Sequence, residues 1–290
     1  MTSRWSYVNG RYSRHTSRAI SIEDRGFQFS DGVYEVCAVH HGHVIALEAH
    51  LSRLKQSLES VQMTCPVSWR ALPIIMDELI IRNHIDNGSL YLQITRGVSV
   101  RAFKFPVGVK GSLVMMIRPL VTFGDPKHVE NGITVLTIPD IRWKRRDIKS
   151  ISLLPQVLGK QQAAQAGCFE AWQVDDQGTI TEGCASNAWI VTNSGCLVTR
   201  PASTEILNGV TRVALLSLIE SLGYRLEIRP FCIKEAYRAQ EAFCTNSSMF
   251  VIPIVGIDEH VIGTGKPGPI TMTLRNAYIK AEVESAMRAS

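Results

Sequence analysis

Cysteine occurs in this chain without pattern. The 7 residues, at 37, 65, 168, 184, 196, 232 and 244, are odd in number and form no C-x-x-C pair. A zinc site and a disulfide framework are therefore not expected, and free thiols in a reducing, cytoplasmic compartment are. Long apolar runs are also missing: residues 113–117 and 250–257 reach strand length, short of the roughly 18 a membrane helix requires. The opening MTSRWSYVNG lacks the apolar stretch of about 7–15 residues that follows the basic start of a signal peptide. Charge of one sign is scarce too. With 31 Lys and Arg against 26 Asp and Glu, the formal +5 suits small anionic ligands better than nucleic acid. The glycine-rich stretches 108–111 and 263–268 lack the G-x-G-x-x-G or G-K-[ST] layout of a nucleotide loop, and no internal repeat is visible. What remains, at 290 residues, 45% hydrophobic and 20% charged, is a globular chain able to bury two cores.

The hydrophobic pattern orders this chain. Residues 5–12 hold an Asn-Gly pair at 9–10, a hairpin signal, and 33–47 folds back around His40–His43. Leu51, Leu54, Leu58 and Val61 recur at helical spacing over 48–61, and a second helix is expected over 69–84. Strands at 89–95 and 113–118 close a first domain, 1–119. Two prolines, a glycine and mixed charge without periodicity mark 120–131 as an interdomain linker. The second domain, 132–290, is expected to hold a strand at 133–138, a polar loop at 139–150, a helix at 153–166 and strands at 169–174 and 188–192. A helix over 209–222 with Leu215, Leu218, Ile219 and Leu222 on one face stops at Gly223. More strands and a carboxy-terminal helix follow. The class is mixed α+β.

Several residues admit chemistry, each beside a plainer reading. Lys149 lies in RWKRRDIKSISLLP, where Lys144, Arg145 and Arg146 read equally as a solvated basic face. Glu182 in TITEGCASNAWIV sits between two short strands, where a carboxylate is commonly just hydrated. The start of the helix at Gly209-Val210-Thr211-Arg212 offers free N–H groups to an anion, or simply a cap. His40, His41 and His43 fall in the expected hairpin turn with no fourth metal ligand nearby.

Seven strings, in order over nearly the whole chain, carry a resemblance: DRGFQFSDGVYEV (24–36), HLSRL (50–54), LYLQITRG (90–97), DIRWKRRDIKSISLL (140–154), TEGCASN (181–187), ILNGVTR (206–212) and TNSS (245–248). Together they resemble the fold-type IV pyridoxal-phosphate enzymes, and within them the D-amino-acid aminotransferases. The resemblance implies a two-domain α+β fold with a small amino-terminal domain and a larger carboxy-terminal one that binds the cofactor. It implies a homodimer whose active site is shared between subunits, with no nucleic acid or membrane partner, transferring an amino group from a D-amino acid to a 2-oxo acid by a ping-pong route. Transaminases of (R)-amines or branched-chain amino acids, and aminodeoxychorismate lyase, share the fold and remain as alternatives.

By the same resemblance Lys149 is the Schiff-base lysine and moves the Cα proton, with a pKa lowered by burial or by Arg142, Arg145 and Arg146. Glu182 faces the pyridine nitrogen of pyridoxal 5'-phosphate, and Leu207 packs on its ring. Arg53, Val210, Thr211, Ser247 and Ser248 form the phosphate cup. Tyr34 and Arg101 match two members of the family's carboxylate trap, while Phe103 stands where the family has a histidine.

Overall fold

The computed structural model describes residues 4–17, 19–120 and 125–288. The chain divides into two compact units: Met1–Thr122 with Ile148–Ser152 and Ser285–Ser290, and Phe123–Asp147 with Leu153–Glu284.

The first unit opens with the hairpin β1 (Trp5–Val8) and β2 (Arg11–Arg14). Asn9 and Gly10 both take positive φ, 48° and 94°, the pair of conformations a tight two-residue hairpin turn needs. Helix α1 (Arg25–Phe29) is capped by Asp24, whose carboxylate accepts from Gly26 N at 2.8 Å. There follow β3 (Gly32–His40), β4 (His43–Val44), α2 (Leu47–Ser60), α3 (Ala71–Asn83), β5 (Gly88–Thr95) and β6 (Ser112–Pro119). These strands form an antiparallel sheet in the order β2-β1-β6-β5-β3-β4. Val33, Val39, Leu54, Leu58, Leu79, Leu92 and Met115 belong to its core, where full burial of each large aliphatic side chain is worth about 1.5–3 kcal/mol. The buried face of α2 differs from the expected one. Leu51 and Val61 are only half-buried, and His50, Arg53 and Ser57 are buried beside Leu54 and Leu58. A helix that buries three polar residues must satisfy them, and α2 does so for His50 and Arg53 against β3 and for Ser57 against the backbone of Lys149, as described below.

In the second unit, α4 (Pro126–Asn131) lies within the segment expected to be a linker; residues 121–124 of that segment fall outside the described residues. Asp125 caps α4 by accepting from Lys127 N at 2.9 Å, and Pro126 at its start has φ already set, so local capping makes a helix too short for periodicity to reveal. The chain continues through β7 (Ile133–Pro139), α5 (Leu154–Gln165), β8 (Glu170–Val174), β9 (Ile180–Gly183), β10 (Asn187–Val191) and β11 (Leu197–Thr199). Next come α6 (Val210–Ser221), β12 (Leu226–Ile228), α7 (Ile233–Tyr237), β13 (Glu241–Asn246), β14 (Phe250–Ile257), β15 (His260–Val261) and α8 (Pro269–Arg288). The sheet runs β12-β11-β10-β13-β14-β7-β8-β9, with β15 also on β14. Its interior strand β7 is parallel to both neighbours, and every residue of β10 is buried, which is why NAWIV is almost uniformly apolar.

On α6 the expected apolar face is corrected at its end. Leu222 lies past the last turn and is exposed, whereas Thr211 and Arg212 are buried with Leu215 and Ile219. The segment Ile148–Ser152, assigned from sequence to the second domain, groups with the first unit. Ser150 bridges Val33, and Lys149 O accepts from Tyr34 N at 3.0 Å, so this short piece of chain runs along the start of β3.

Candidate active site

Alternation along β3 puts Val33, Glu35, Cys37 and Val39, all buried, on one face, and a carboxylate in that row requires partners. Helix α2 supplies them at i and i+3. His50 Nδ1 stands 2.7 Å from Glu35 Oε2, and Arg53 makes a fork, Nε to Oε1 at 2.8 Å and Nη2 to Oε2 at 2.7 Å. Burial alone would raise the Glu35 carboxyl, but Arg53 and then His50 hold it down at about 2. Burial pulls His50 below its ordinary value. An ionised Glu35 can only accept, so His50 Nδ1 carries the proton of a neutral ring. Arg53 is thus oriented by two residues that sequence reading had not singled out. Their signal was present: a charged residue in the apolar register of a strand, and His and Arg three apart on a helix.

One turn beyond Arg53 on α2, the Ser57 hydroxyl accepts from Lys149 N at 3.3 Å. The Lys149 amine lies 4.3 Å from the centre of the Tyr34 ring, which makes a cation–π pair of a half-buried lysine and a tyrosine half-buried on β3. Tyr34, Lys149 and the Arg53 helix are thereby brought together.

The three arginines expected to act on Lys149 as positive neighbours are all engaged by carboxylates. Arg142 pairs with Asp140 and Glu182, Arg145 with Asp147, and Arg146 with Asp140.

Arg101 and Phe103 occupy an exposed loop, where the Arg101 guanidinium sits 4.6 Å over Phe29 and 5.8 Å from Phe103. That loop is pinned from beneath. Buried Arg25 donates to Ala102 O at 2.5 Å and to Asp31 at 2.8 Å, and Arg96 donates to the same Asp31 oxygen at 2.8 Å.

In the second unit Glu182, on β9, is buried and fully bonded. Arg142 Nη1 donates to Oε1, Asn187 Nδ2 to Oε2 at 2.9 Å, and Leu207 N to Oε2 at 3.0 Å. Burial pushes the Glu182 carboxyl up, against the opposing pull of Arg142. The Asp140 side chain is shielded from solvent, which would raise it, yet Arg142 and Thr181 hold it below its ordinary value. Asn187 ties this cluster to the start of α6 through Leu207 O at 2.8 Å. Gly209, the cap of α6, has no side chain to accept from the first-turn N–H groups; any Cβ there would lie 2.1 Å from Asn187 Oδ1. Val210 and Thr211, buried, begin the helix. Ser247 and Ser248 lie in the turn between β13 and β14, closed by Asn246 Oδ1, which accepts from Ser248 N at 3.0 Å and Met249 N at 2.8 Å.

Among the described residues no group of three or more His, Cys, Asp and Glu could hold a metal ion. His40 ends β3 and is taken up by Asn87 at 2.7 Å, and His43 begins β4, so of the three histidines expected in the turn only His41 lies in it. No helix among these residues is long and apolar enough to cross a membrane, and all seven cysteines are free.

The family model described as Amino-transferase class IV matches residues 32–257, from the first residue of β3 to the last of β14. The chain belongs to the class IV aminotransferases. This aminotransferase is 38% identical over 269 residues to a D-alanine aminotransferase of Bacillus licheniformis, a match that covers 93% of this chain and 94% of that protein. Its fold is that of a branched-chain amino acid aminotransferase of Escherichia coli, with a TM-score of 0.89 at 21% identity over 97% of this chain and 95% of the other. A second branched-chain amino acid aminotransferase, solved with pyridoxamine 5'-phosphate, has a TM-score of 0.88 at 21% identity over 97% of this chain and 94% of the other. The aminotransferase is therefore an α+β protein of fold type IV.

Proposed function

We propose that the aminotransferase moves an amino group from a D-amino acid such as D-alanine to a 2-oxo acid, with pyridoxal 5'-phosphate as cofactor and two copies of the chain forming the enzyme. The 38% identity to a D-alanine aminotransferase, over 93% of this chain and 94% of that protein, carries the reading. The residues present fit the cofactor on chemical grounds. A helix start capped by glycine suits a phosphate, a buried carboxylate suits a protonated ring nitrogen, and a half-buried lysine amine suits an aldehyde.

When bound, the cofactor supplies an aldehyde to take up the amino group and a ring to accept the electron pair left at Cα. The protein's residues do the rest. Lys149 would be the covalent anchor and the base that takes the proton from the substrate Cα, with Tyr34 beside its amine. Glu182, made more basic by burial, holds the ring-nitrogen proton, and Arg142, Asn187 and Leu207 N keep its oxygens aimed. Arg53, Val210, Thr211, Ser247 and Ser248 hold the phosphate, and Leu207 lies on the ring face. Tyr34, Arg101 and Phe103 make the carboxylate site, where Phe103 removes one hydrogen-bonding group relative to the family pattern.

A second copy is supported by the loop that carries Arg101. Val98, Val100, Phe103, Phe105 and Val107 are all exposed on a segment whose backbone is nonetheless held by Arg25, an apolar surface suited to cover by another subunit. The test of the reaction is the absorbance spectrum of purified protein mixed in turn with D-alanine, L-leucine and an (R)-amine. D-Alanine is expected to convert the cofactor to its amine form. Conversion by L-leucine alone would make the protein a branched-chain transaminase and overturn the reading.

A further inference from the structure

The turn that bears Ser247 and Ser248 ends in a conformation a bulky residue rarely adopts. Phe250 has φ 63°, in the left-handed region, where the Cβ of an ordinary residue crowds the following carbonyl. Such a residue persists only where its surroundings over-determine it, and here α8 does so. Buried Arg275 sends Nη1 to the carbonyls on both sides of Phe250, Met249 O at 2.8 Å and Val251 O at 2.6 Å. Three residues on, and so on the same face of the helix, buried Tyr278 packs its ring on Phe250 with centroids 5.1 Å apart. The Tyr278 hydroxyl donates to Thr211 Oγ1 at 3.5 Å. One face of α8 thus reaches both the serine turn and the opening of α6.

We propose that Arg275 and Tyr278 are positioning residues for the phosphate cup, fixing the Ser247–Ser248 turn and the Thr211 end of α6 to one helix. The assignment rests on reading those residues as phosphate ligands. Neither side chain is placed on the ligand itself; both act through the backbone and hydroxyl that they hold. A guanidinium can serve two buried carbonyls from one nitrogen in a fixed plane, whereas a lysine ammonium reaches them from a mobile stem. Arg275→Lys should therefore rescue only part of what Arg275→Met loses.

The experiment strips cofactor from the full-length protein and titrates it with pyridoxal 5'-phosphate and, separately, with pyridoxal, which lacks the phosphate. Inorganic phosphate serves as competitor. Wild type is expected to favour the phosphorylated ligand strongly. Arg275→Met should weaken pyridoxal 5'-phosphate about tenfold or more and weaken phosphate competition, while pyridoxal binding stays within about twofold, since charge-assisted bonds that hold only the cup are lost. Tyr278→Phe, which removes a single hydroxyl from an otherwise intact core, should shift the same preference by about two- to fivefold. Equal losses for the two ligands, or no loss in either variant, would overturn the proposal. If Arg275→Met does not fold, Tyr278→Phe alone decides between these outcomes. A wild-type protein that binds both ligands equally would instead overturn the phosphate-cup reading beneath it.

Discussion

Replacing Glu35 with glutamine keeps the side chain's shape and removes one charge, which leaves the Arg53 guanidinium buried beside a neutral amide. Two routes give the size of the effect. Breaking a buried pair by deleting one partner costs about 3–5 kcal/mol, because the other charge is left uncompensated. Independently, a carboxyl held at about 2 against an ordinary 4.5 contributes roughly 3 kcal/mol to folding at neutral pH. The sign follows from the direction of the shift. Because the folded value is depressed, this stability is fully present above about 4.5 and is lost as pH falls from there toward about 2. Urea unfolding of wild type and Glu35→Gln should differ by about 3 kcal/mol or more at pH 7, and by progressively less at pH 4 and pH 3. The double variant Glu35→Gln with Arg53→Met should recover part of the loss, since no unpaired charge remains. A loss under about 1 kcal/mol at pH 7, or one that does not change with pH, would refute the pairing as the source of stability.

Three other outcomes test the site. Lys149→Ala should abolish transamination with the fold retained, and borohydride reduction followed by peptide mapping should place the cofactor on Lys149; a label on Lys160 would move the assignment. Glu182→Gln should slow the half-reaction with D-alanine by about a hundredfold or more, with a primary isotope effect on D-alanine deuterated at Cα marking proton transfer as the slowed step, because an amide does not hold the ring-nitrogen proton. A near wild-type rate would mean another partner for that nitrogen. Phe103→His should lower KM for D-amino acids by about ten- to hundredfold and depress activity on (R)-amines, since one added hydrogen bond to a carboxylate is worth roughly 1–3 kcal/mol; if both stayed unchanged, position 103 would lie outside the substrate site.

Much of this protein was legible in its residues because the relevant forces are local. Asn9-Gly10 demands its turn by backbone freedom alone, the apolar spacing of α3 and the unbroken apolar run of β14 follow from which side chains avoid water, and the matched strings name the family in the order they occur. Where the chain ends one pattern and begins another, prediction held less well. A six-residue helix at Pro126–Asn131 arises from an Asp cap and a proline, without enough length to show a period, and Leu222 passes for core although the helix stops before it. Charge was the least legible quantity. A run of Arg142, Arg145 and Arg146 reads as a positive neighbourhood until the folded chain sets a carboxylate against each one. Glu35, His50 and Arg53 are ordinary polar residues in a list, 15 and 18 positions apart, and only the pairing of strand and helix turns them into one buried network. The same holds for Arg275 and Tyr278, which bear on Thr211 and the serine turn from 24 to 67 residues away. Identity of the side chains was given by sequence; their desolvation and their partners, which set pKa and orientation, depend on distances across the chain that only the tertiary structure brings down to contact.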